Sequence, residues 1–173
     1  MLVTVGHVGV DRRTFVLDLI GLLARLGLAA VFLISGISKA ANPLGTKAAV
    51  RAYDLLPDGM VGVVAGVLPY LEIALGLLLV LGMVVRWTAA AAAVLLLVFI
   101  GGVISAAVRG LSIDCGCFGG GGTVAAGQTQ YAAEILRDVG FLALAGWLIV
   151  RPRTLWSVDG LARRELVSAD ANQ

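Results

Sequence analysis

Two cysteines, Cys115 and Cys117, stand one residue apart in the run DCGCFGGGG, and they are the only cysteines of the 173-residue chain. Cα atoms two positions apart fall near the separation that a disulfide accepts, so the two thiols can bond to each other. The ring that such a bond closes is small and strained, and strained disulfides are the more oxidising, labile or catalytic ones. The pair therefore indicates thiol–disulfide exchange.

The neighbours of the cysteines shape the loop and its charge. Gly116 accepts backbone angles that other residues avoid, and the glycines from Gly119 to Gly122 let the loop flex or approach another backbone. Asp114 disfavours a thiolate beside it, and Arg109 offsets that effect if the loop folds back. The sequence leaves open which of the two cysteines attacks a partner.

Membrane-spanning helices are the elements that must position this loop. Hydrophobic residues make up 60% of the chain and charged residues 14%, and the mean hydropathy is +0.98, whereas about a quarter of a soluble domain is charged. A spanning helix needs about 20 mostly apolar residues, and segments 14–37, 60–85 and 88–108 meet this length. A fourth segment, 131–150, does so only if it includes charges at its start, where an interface makes them less costly.

We predict an all-α integral membrane protein in which four spans form a transmembrane bundle, with three spans as the alternative. The whole chain, residues 1–173, is one transmembrane domain. Between the first two spans, the segment from Asn42 to Pro57 begins with a helix-capping asparagine and a proline at the first helical position. This segment predicts a short interfacial helix with Tyr53, Leu55 and Leu56 on its buried side, placed to cover the cysteine loop.

Positive charge in short flanking segments sets the orientation of the spans. Four spans place both tails, residues 1–13 and 151–173, on one side of the membrane with the connection between spans 2 and 3. That side carries seven basic residues, Arg12, Arg13, Arg86, Arg151, Arg153, Arg163 and Arg164, and the other side carries four, Lys39, Lys47, Arg51 and Arg109. We therefore predict a multi-pass protein of the plasma membrane with both termini in the cytoplasm. The cysteine loop then lies outside the cytoplasm, where disulfides persist.

Three other interpretations of the cysteine loop are weaker. A purely structural staple is disfavoured because closing so short a loop removes little chain entropy. A metal site is disfavoured because the only histidine, His7, is predicted across the membrane and Asp114 does not complete a ligand shell. The glycines lack the Lys-Ser/Thr that follows in a phosphate-binding loop, and a net charge of +2 gives no basis for binding nucleic acid. We predict no metal ligand and no nucleic-acid partner.

The predicted spans contain two central charges and two runs of small residues. Arg25 and Glu72 each lie near the middle of a span, and antiparallel helices bring them to similar depth. A charge at that depth is costly unless it is paired, so we predict that Arg25 and Glu72 are partners that lock span 1 to span 2. A polar pocket for a head group, a quinone or protons is the alternative. The run Gly62-xxx-Gly66 and the alanines from Ala89 to Ala93 predict close helix packing in lipid.

The fourth span carries Glu134, Arg137 and Asp138 at its outer end, on the side of the cysteines. Glu134 and Arg137 are spaced i, i+3 and can pair on one face of a helix. Such a pair either positions the cysteine loop or anchors the helix at the interface, and the sequence favours neither. Asp18, one turn inside the opposite end of the bundle, is expected to reach water.

Several segments occur in the order seen in one known family: RLGLAAVFLISGISKAANP, AYDLLP, LPYLEIALGLLLVLGMVVR and DCGCFGG. From about Leu23 to Val150 the chain resembles the methylamine-utilisation MauE family, within the wider DoxX-like group. The resemblance implies a four-helix membrane bundle that works beside a thioredoxin-like partner in extracytoplasmic disulfide formation. It implies Cys115 and Cys117 as the redox pair, with Phe118 and Gly119 shaping the loop. Polar positions of the family pattern are matched by Arg25, Lys39, Glu72 and Arg137, whereas Asp138 stands where many relatives have asparagine.

The leading hypothesis is a membrane component of a thiol–disulfide relay, and thus part of a thiol–disulfide oxidoreductase system that serves exported proteins. One dithiol cannot carry electrons across a membrane, so the relay needs a quinone in the bundle or a second dithiol in a partner. No cofactor other than this optional quinone is predicted. The competing hypothesis is a non-enzymatic accessory subunit of a larger membrane complex, such as a respiratory one, in which the Cys-Gly-Cys run only closes a loop.

Overall fold

The computed structural model describes residues 12–114, 122–125, 129–152, 154 and 157. In chain order these form α1 (Arg12–Ala41), α2 (Pro43–Ala52), α3 (Asp58–Leu81), α4 (Val85–Val108), β1 (Ile113–Asp114), β2 (Gly122–Thr123) and α5 (Tyr131–Val150). Five residues of the cysteine loop, Cys115, Gly116, Cys117, Phe118 and Gly119, lie outside the described residues, and their roles stay predictions.

Three of the helices identify the chain as a membrane protein. Helices α1, α3 and α4 are 30, 24 and 24 residues long, and each is long and apolar enough to cross a membrane. They correspond to the first three predicted spans. Helix α5 has 20 residues and carries Glu134, Arg137 and Asp138 near its start, so its passage through the bilayer stays a prediction.

One hydrophobic core joins the four long helices. Helix α1 packs mainly against α3, α4 packs mainly against α5, and α1 also contacts α5. All four helices contribute to the core, which contains Ala24, Leu28, Ala29, Phe32, Leu75, Leu79, Val85, Ala89, Ala92, Leu96, Ala145 and Leu148. Of the alanines predicted to pack closely in the third span, Ala89 and Ala92 are fully buried, whereas Ala91 is exposed.

A glycine sets the close contact between α1 and α3, but it is not one of the predicted glycines. A Cβ atom at Gly36 would lie 2.8 Å from the carbonyl oxygen of Pro69, so the two helices approach too closely for a side chain there. In contrast, no described atom outside its own helix backbone comes within 4 Å of a Cβ placed at Gly62 or Gly66. The prediction of close packing at Gly62 and Gly66 is wrong for the described part of the chain, because both face away from the core.

Helix α2 begins as the sequence predicts. The side chain of Asn42 accepts a hydrogen bond from the amide of Gly45 at 3.0 Å, and Pro43 is the first residue of the helix. The cap satisfies an amide that has no partner within the helix. The helix ends at Ala52, five residues before Pro57, where the sequence predicted its end.

The buried side of α2 differs from the prediction. Thr46 and Ala49 are its buried residues, whereas Leu55, predicted to be buried, is 52% exposed and follows the end of the helix. Tyr53 is half-buried, and its ring lies beside Gly102 of α4. These contacts attach α2 to the bundle, and its position at a membrane interface stays a prediction.

Strands β1 and β2 form a short antiparallel pair that the all-α prediction did not include. Ile113 lies opposite Thr123 and Asp114 lies opposite Gly122, and α2 packs against both strands. The pairing joins the two ends of the segment 115–121, which contains both cysteines. Strands of two residues are too short to show the alternating pattern from which a strand is predicted.

Candidate functional site

A buried ion pair links α1 to α3. Lys39 Nζ donates hydrogen bonds to Glu72 Oε1 at 2.8 Å and to Glu72 Oε2 at 2.9 Å. Ser35, one turn before Lys39 on α1, accepts from the same ammonium at 2.6 Å and donates to Glu72 Oε1 at 3.2 Å. Glu72 is fully buried, at 0% exposure. Both oxygens of this carboxylate are therefore satisfied by α1.

Local structure explains why Lys39 occupies this position. Gly36 lies opposite Pro69 and Glu72, and the absence of a side chain at Gly36 lets α1 approach α3. Lys39 is in the last turn of α1, where the helix dipole favours a cation. The ammonium also lies 5.3 Å from the centre of the Phe99 ring, a distance at which the ring attracts a cation.

The prediction that Arg25 is the partner of Glu72 is wrong. Arg25 Nη1 donates to Thr154 Oγ1 at 3.0 Å, and the guanidinium lies against Gly82, just after the end of α3. Gly82 is ten residues beyond Glu72, about 15 Å along a helix. The prediction treated the two spans as level with each other, whereas the contact at Gly36 offsets α1 along α3 and brings Lys39 to the depth of Glu72.

Helix α5 carries one buried acidic residue, Asp138, and one that is half-buried, Glu134. Arg137 Nε donates to Asp138 Oδ1 at 3.1 Å, a pairing of neighbours that the i, i+3 spacing did not predict. Asp138 is 3% exposed. Its second oxygen, Oδ2, has no hydrogen-bond partner in the described part of the chain, and the same holds for Glu134 Oε2. The predicted pair of Glu134 with Arg137 stays a prediction.

A pocket between α1, α3, α4 and α5 brings these groups together. Its volume is about 20 Å³, which is room for about one water molecule and far less than a small-molecule ligand site needs. Its lining consists of Val31, Phe32, Ser35, Glu72, Leu96, Phe99, Arg137, Asp138 and Phe141. The sequence singled out Glu72, Arg137 and Asp138 but missed Ser35 and the three phenylalanines. Ser35 could have been found from its spacing: it lies one turn before Lys39 on an apolar helix, so the two polar side chains share one face.

At the opposite end of the bundle, the residues after α5 contact α1. Arg151 Nη2 lies 3.0 Å from Asp18 Oδ1, so Asp18 has a partner that the sequence did not predict. Thr154 contacts Arg25 and Ser157 lies beside Gly82. The start of α1 and the end of α5 therefore lie at the same end of the molecule.

Arg109 follows the end of α4, at the end of the bundle that carries the β1–β2 pair, which we call the hairpin. Its guanidinium donates to the carbonyl oxygens of Tyr53 and Asp54 and lies 3.9 Å from the Asp54 carboxylate. The hydroxyl of Tyr131 donates to the carbonyl oxygen of Leu111 and joins the start of α5 to the segment after α4. Arg109 thus holds the α2–α3 connection, and any effect on the cysteines stays a prediction.

Among the residues that the structure describes, no group of three or more His, Cys, Asp or Glu side chains is arranged to hold a metal ion. The two cysteines and His7 lie outside those residues, so the predicted absence of a metal stays untested at the loop. The described polar groups instead form ion pairs and hydrogen bonds between helices.

These observations define a membrane protein whose long helices surround a small cavity lined by charged and aromatic side chains. The model of the family "Methylamine utilisation protein MauE" matches residues 17–151, which is most of the chain, and the chain belongs to this family. The methylamine utilization protein MauE of Paracoccus denitrificans is 40% identical over 98 residues, which are 56% of this chain and 53% of that protein. The match thus spans about half the length of that relative. No solved structure matches the chain.

Proposed function

We propose that this chain is the membrane component of an extracytoplasmic thiol–disulfide relay, in which Cys115 and Cys117 exchange with a thioredoxin-like partner and so support disulfide formation in exported proteins. The observation that carries the proposal is the pairing of Asp114 with Gly122, which joins both ends of the cysteine segment at one end of the bundle. In keeping with the name of the family, the exported proteins include ones used in methylamine utilisation.

The proposal includes a membrane arrangement with α5 as the fourth span. Helix α5 shares the core of the other long helices through Ala145 and Leu148, and its outer face exposes large apolar side chains, among them Leu136 and Val150. Such a face is stable in lipid and costly in water. With four spans, both termini lie in the cytoplasm, α2 lies at the outer interface, and the cysteine hairpin lies outside the cytoplasm.

The proposed reaction is a disulfide exchange in two steps. A thiolate of the reduced partner attacks one sulfur of the Cys115–Cys117 disulfide, which forms a mixed disulfide and releases the other cysteine as a thiolate. The partner's second thiolate then attacks the partner's sulfur in the mixed disulfide. This forms a disulfide within the partner and releases the second cysteine of this chain as a thiolate. Two electrons pass from the partner to Cys115 and Cys117, which end as a dithiol.

Single cysteine variants test the proposal. Because exchange uses one sulfur at a time, one of Cys115→Ser and Cys117→Ser should trap a reductant-sensitive covalent complex with a thioredoxin-like protein, and the other should trap none. The readout is a non-reducing gel of membranes after acid quenching, with the double variant as the control that forms no complex. Both single variants should remain inserted, since so short a loop adds little stability.

The opposite outcome favours the accessory-subunit hypothesis. If neither variant traps a partner, and exported disulfide proteins mature normally in the double variant, then the relay proposal is wrong. The Cys-Gly-Cys run would in that case only close a loop.

A further inference from the structure

One oxygen atom in the pocket between the four long helices has no hydrogen-bond partner among the described residues. Asp138 is 3% exposed, and its Oδ2 atom is buried without a partner in that part of the chain. The other oxygen, Oδ1, accepts from Arg137 Nε at 3.1 Å. A buried polar atom without a partner is costly, whether or not it carries a proton. Asp138 therefore needs a further partner that no described residue supplies.

The size of the pocket restricts this partner to a very small molecule. The volume of the pocket is about 20 Å³, and about 10–15 Å³ is enough for one water. Internal waters occupy polar sites that offer about two to four hydrogen-bonding groups, whereas apolar cavities stay dry. The lining includes the polar residues Ser35, Glu72, Arg137 and Asp138. The pocket therefore has the size and the polarity of a site for one water molecule.

Glu72 can accept the second hydrogen of such a water. Its carboxylate receives two hydrogen bonds from Lys39 and one from Ser35, and a carboxylate has sites for about four. A small cation suits the pocket less well than a neutral molecule. Glu72 and Asp138 are each already paired with a cationic side chain, Lys39 and Arg137 respectively, so the charges of the site balance without another ion.

We infer that the pocket is an internal water site, in which one water donates hydrogen bonds to Asp138 Oδ2 and to the carboxylate of Glu72. The inference goes beyond the proposed relay and does not depend on it. A bridging water is nearly as favourable in enthalpy as a direct hydrogen bond. It links α5 to the ion pair between α1 and α3, and it allows the apolar helix α5 to hold a buried carboxylate beside the core.

Hydroxyl-radical footprinting of the full-length protein in lipid nanodiscs tests the inference. X-ray pulses split a bound water, and the radical oxidises the side chain beside it. If the sample is equilibrated in water labelled with a heavy oxygen isotope, the oxygen gained by that side chain carries the label. Phe32 is the reporter, because it lines the pocket and is only 2% exposed. Mass spectrometry should find the label on Phe32 in the wild type.

Substitutions of Asp138 separate a bound water from a dry pocket. Leucine has the branching of aspartate but no polar atom, so Asp138→Leu should lower the labelling of Phe32 by about tenfold or more, as expected when a hydrogen bond to a charged group is lost. Asp138→Asn should keep the labelling, because a water accepts from an amide as well as it donates to a carboxylate. The matched control is Asp58→Leu, the same change at a side chain that is 89% exposed, which should behave as the wild type does.

Absence of label on Phe32 in the wild type overturns the inference, and so does unchanged labelling in Asp138→Leu or lost labelling in Asp138→Asn. If Asp138→Leu does not fold, as judged by its helical circular dichroism, wild-type crystals grown in a lipid mesophase decide the matter at a resolution that shows ordered solvent. A water within hydrogen-bond distance of Asp138 Oδ2 and Glu72 supports the site, whereas an ion or an empty pocket rejects it. Neither measurement involves the cysteines or an exchange partner, so failure of the relay would leave this site unaffected.

Discussion

At the scale of single residues, the interior of this membrane protein contains an ion pair between side chains of two different helices, α1 and α3. Lys39 and Glu72 are both buried and make two hydrogen bonds with each other. Burial removes both charges from water, and only the short contacts between them offset that cost. Loss of one partner should therefore be far more harmful than loss of both.

We expect Glu72→Leu to lower the free energy of unfolding by about 3–5 kcal/mol, because it leaves the Lys39 ammonium buried without its carboxylate. The double variant Lys39→Met with Glu72→Leu should recover most of this loss. Thermal unfolding of the detergent-solubilised protein, followed by size-exclusion chromatography, measures the difference. A matched control is Asp58→Ala, which breaks an ion pair with Arg51 whose side chains are 89% and 59% exposed and should change stability by less than about 1 kcal/mol.

A double variant as unstable as Glu72→Leu alone would contradict this energetic account of the pair. The sequence itself could identify Glu72 as a residue that needs a partner, because an acidic side chain in an apolar span is costly. It could not identify Lys39 as that partner. The choice depends on the offset between α1 and α3, which is set by a backbone contact between Gly36 and Pro69 rather than by the spacing of charges.

At the scale of helices and strands, the sequence predicts well what local chemistry determines. The three longest apolar segments became α1, α3 and α4, and the Asn42 cap with Pro43 starts α2. Apolar length and capping act within a few residues, so they are visible in the chain. Features that depend on distant contacts were missed, among them the β1–β2 pair and the inner and outer faces of α3.

Two glycines, Gly36 of α1 and Gly62 of α3, differ in whether a side chain would fit at their position. Gly36→Ala should destabilise the protein by about 1–3 kcal/mol, because its Cβ would lie 2.8 Å from Pro69 O, a backbone atom that cannot move without shifting α3. Gly62→Ala is the control, since a Cβ there meets nothing within 4 Å and alanine favours a helix over glycine by up to about 1 kcal/mol. The same thermal assay ranks the two variants. Equal stability of both would show that α1 and α3 do not pack at Gly36.

At the scale of the whole molecule, the two ends of the bundle differ in composition and contacts. One end joins the start of α1 to the residues after α5 through Asp18 and Arg151. The other end carries α2 and the hairpin that closes the cysteine segment. The charges of the sequence favour the first end as cytoplasmic. This two-ended arrangement is what a relay needs if its thiols are to meet exported proteins while its tails stay inside.

Cysteine labelling in intact cells tests both the orientation and the number of spans. After mild reduction, a membrane-impermeant maleimide should label Cys115 or Cys117 from outside. A tail cysteine, Ser168→Cys in a background with Cys115→Ser and Cys117→Ser, should react only after the membrane is permeabilised. If instead the tail cysteine reacts from outside and the loop cysteines react only after permeabilisation, the predicted orientation is wrong. The thiols would then lie in the reducing cytoplasm, where disulfides do not persist. Labels on the same side for loop and tail would mean that α5, with Glu134, Arg137 and Asp138 near its start, does not cross the membrane.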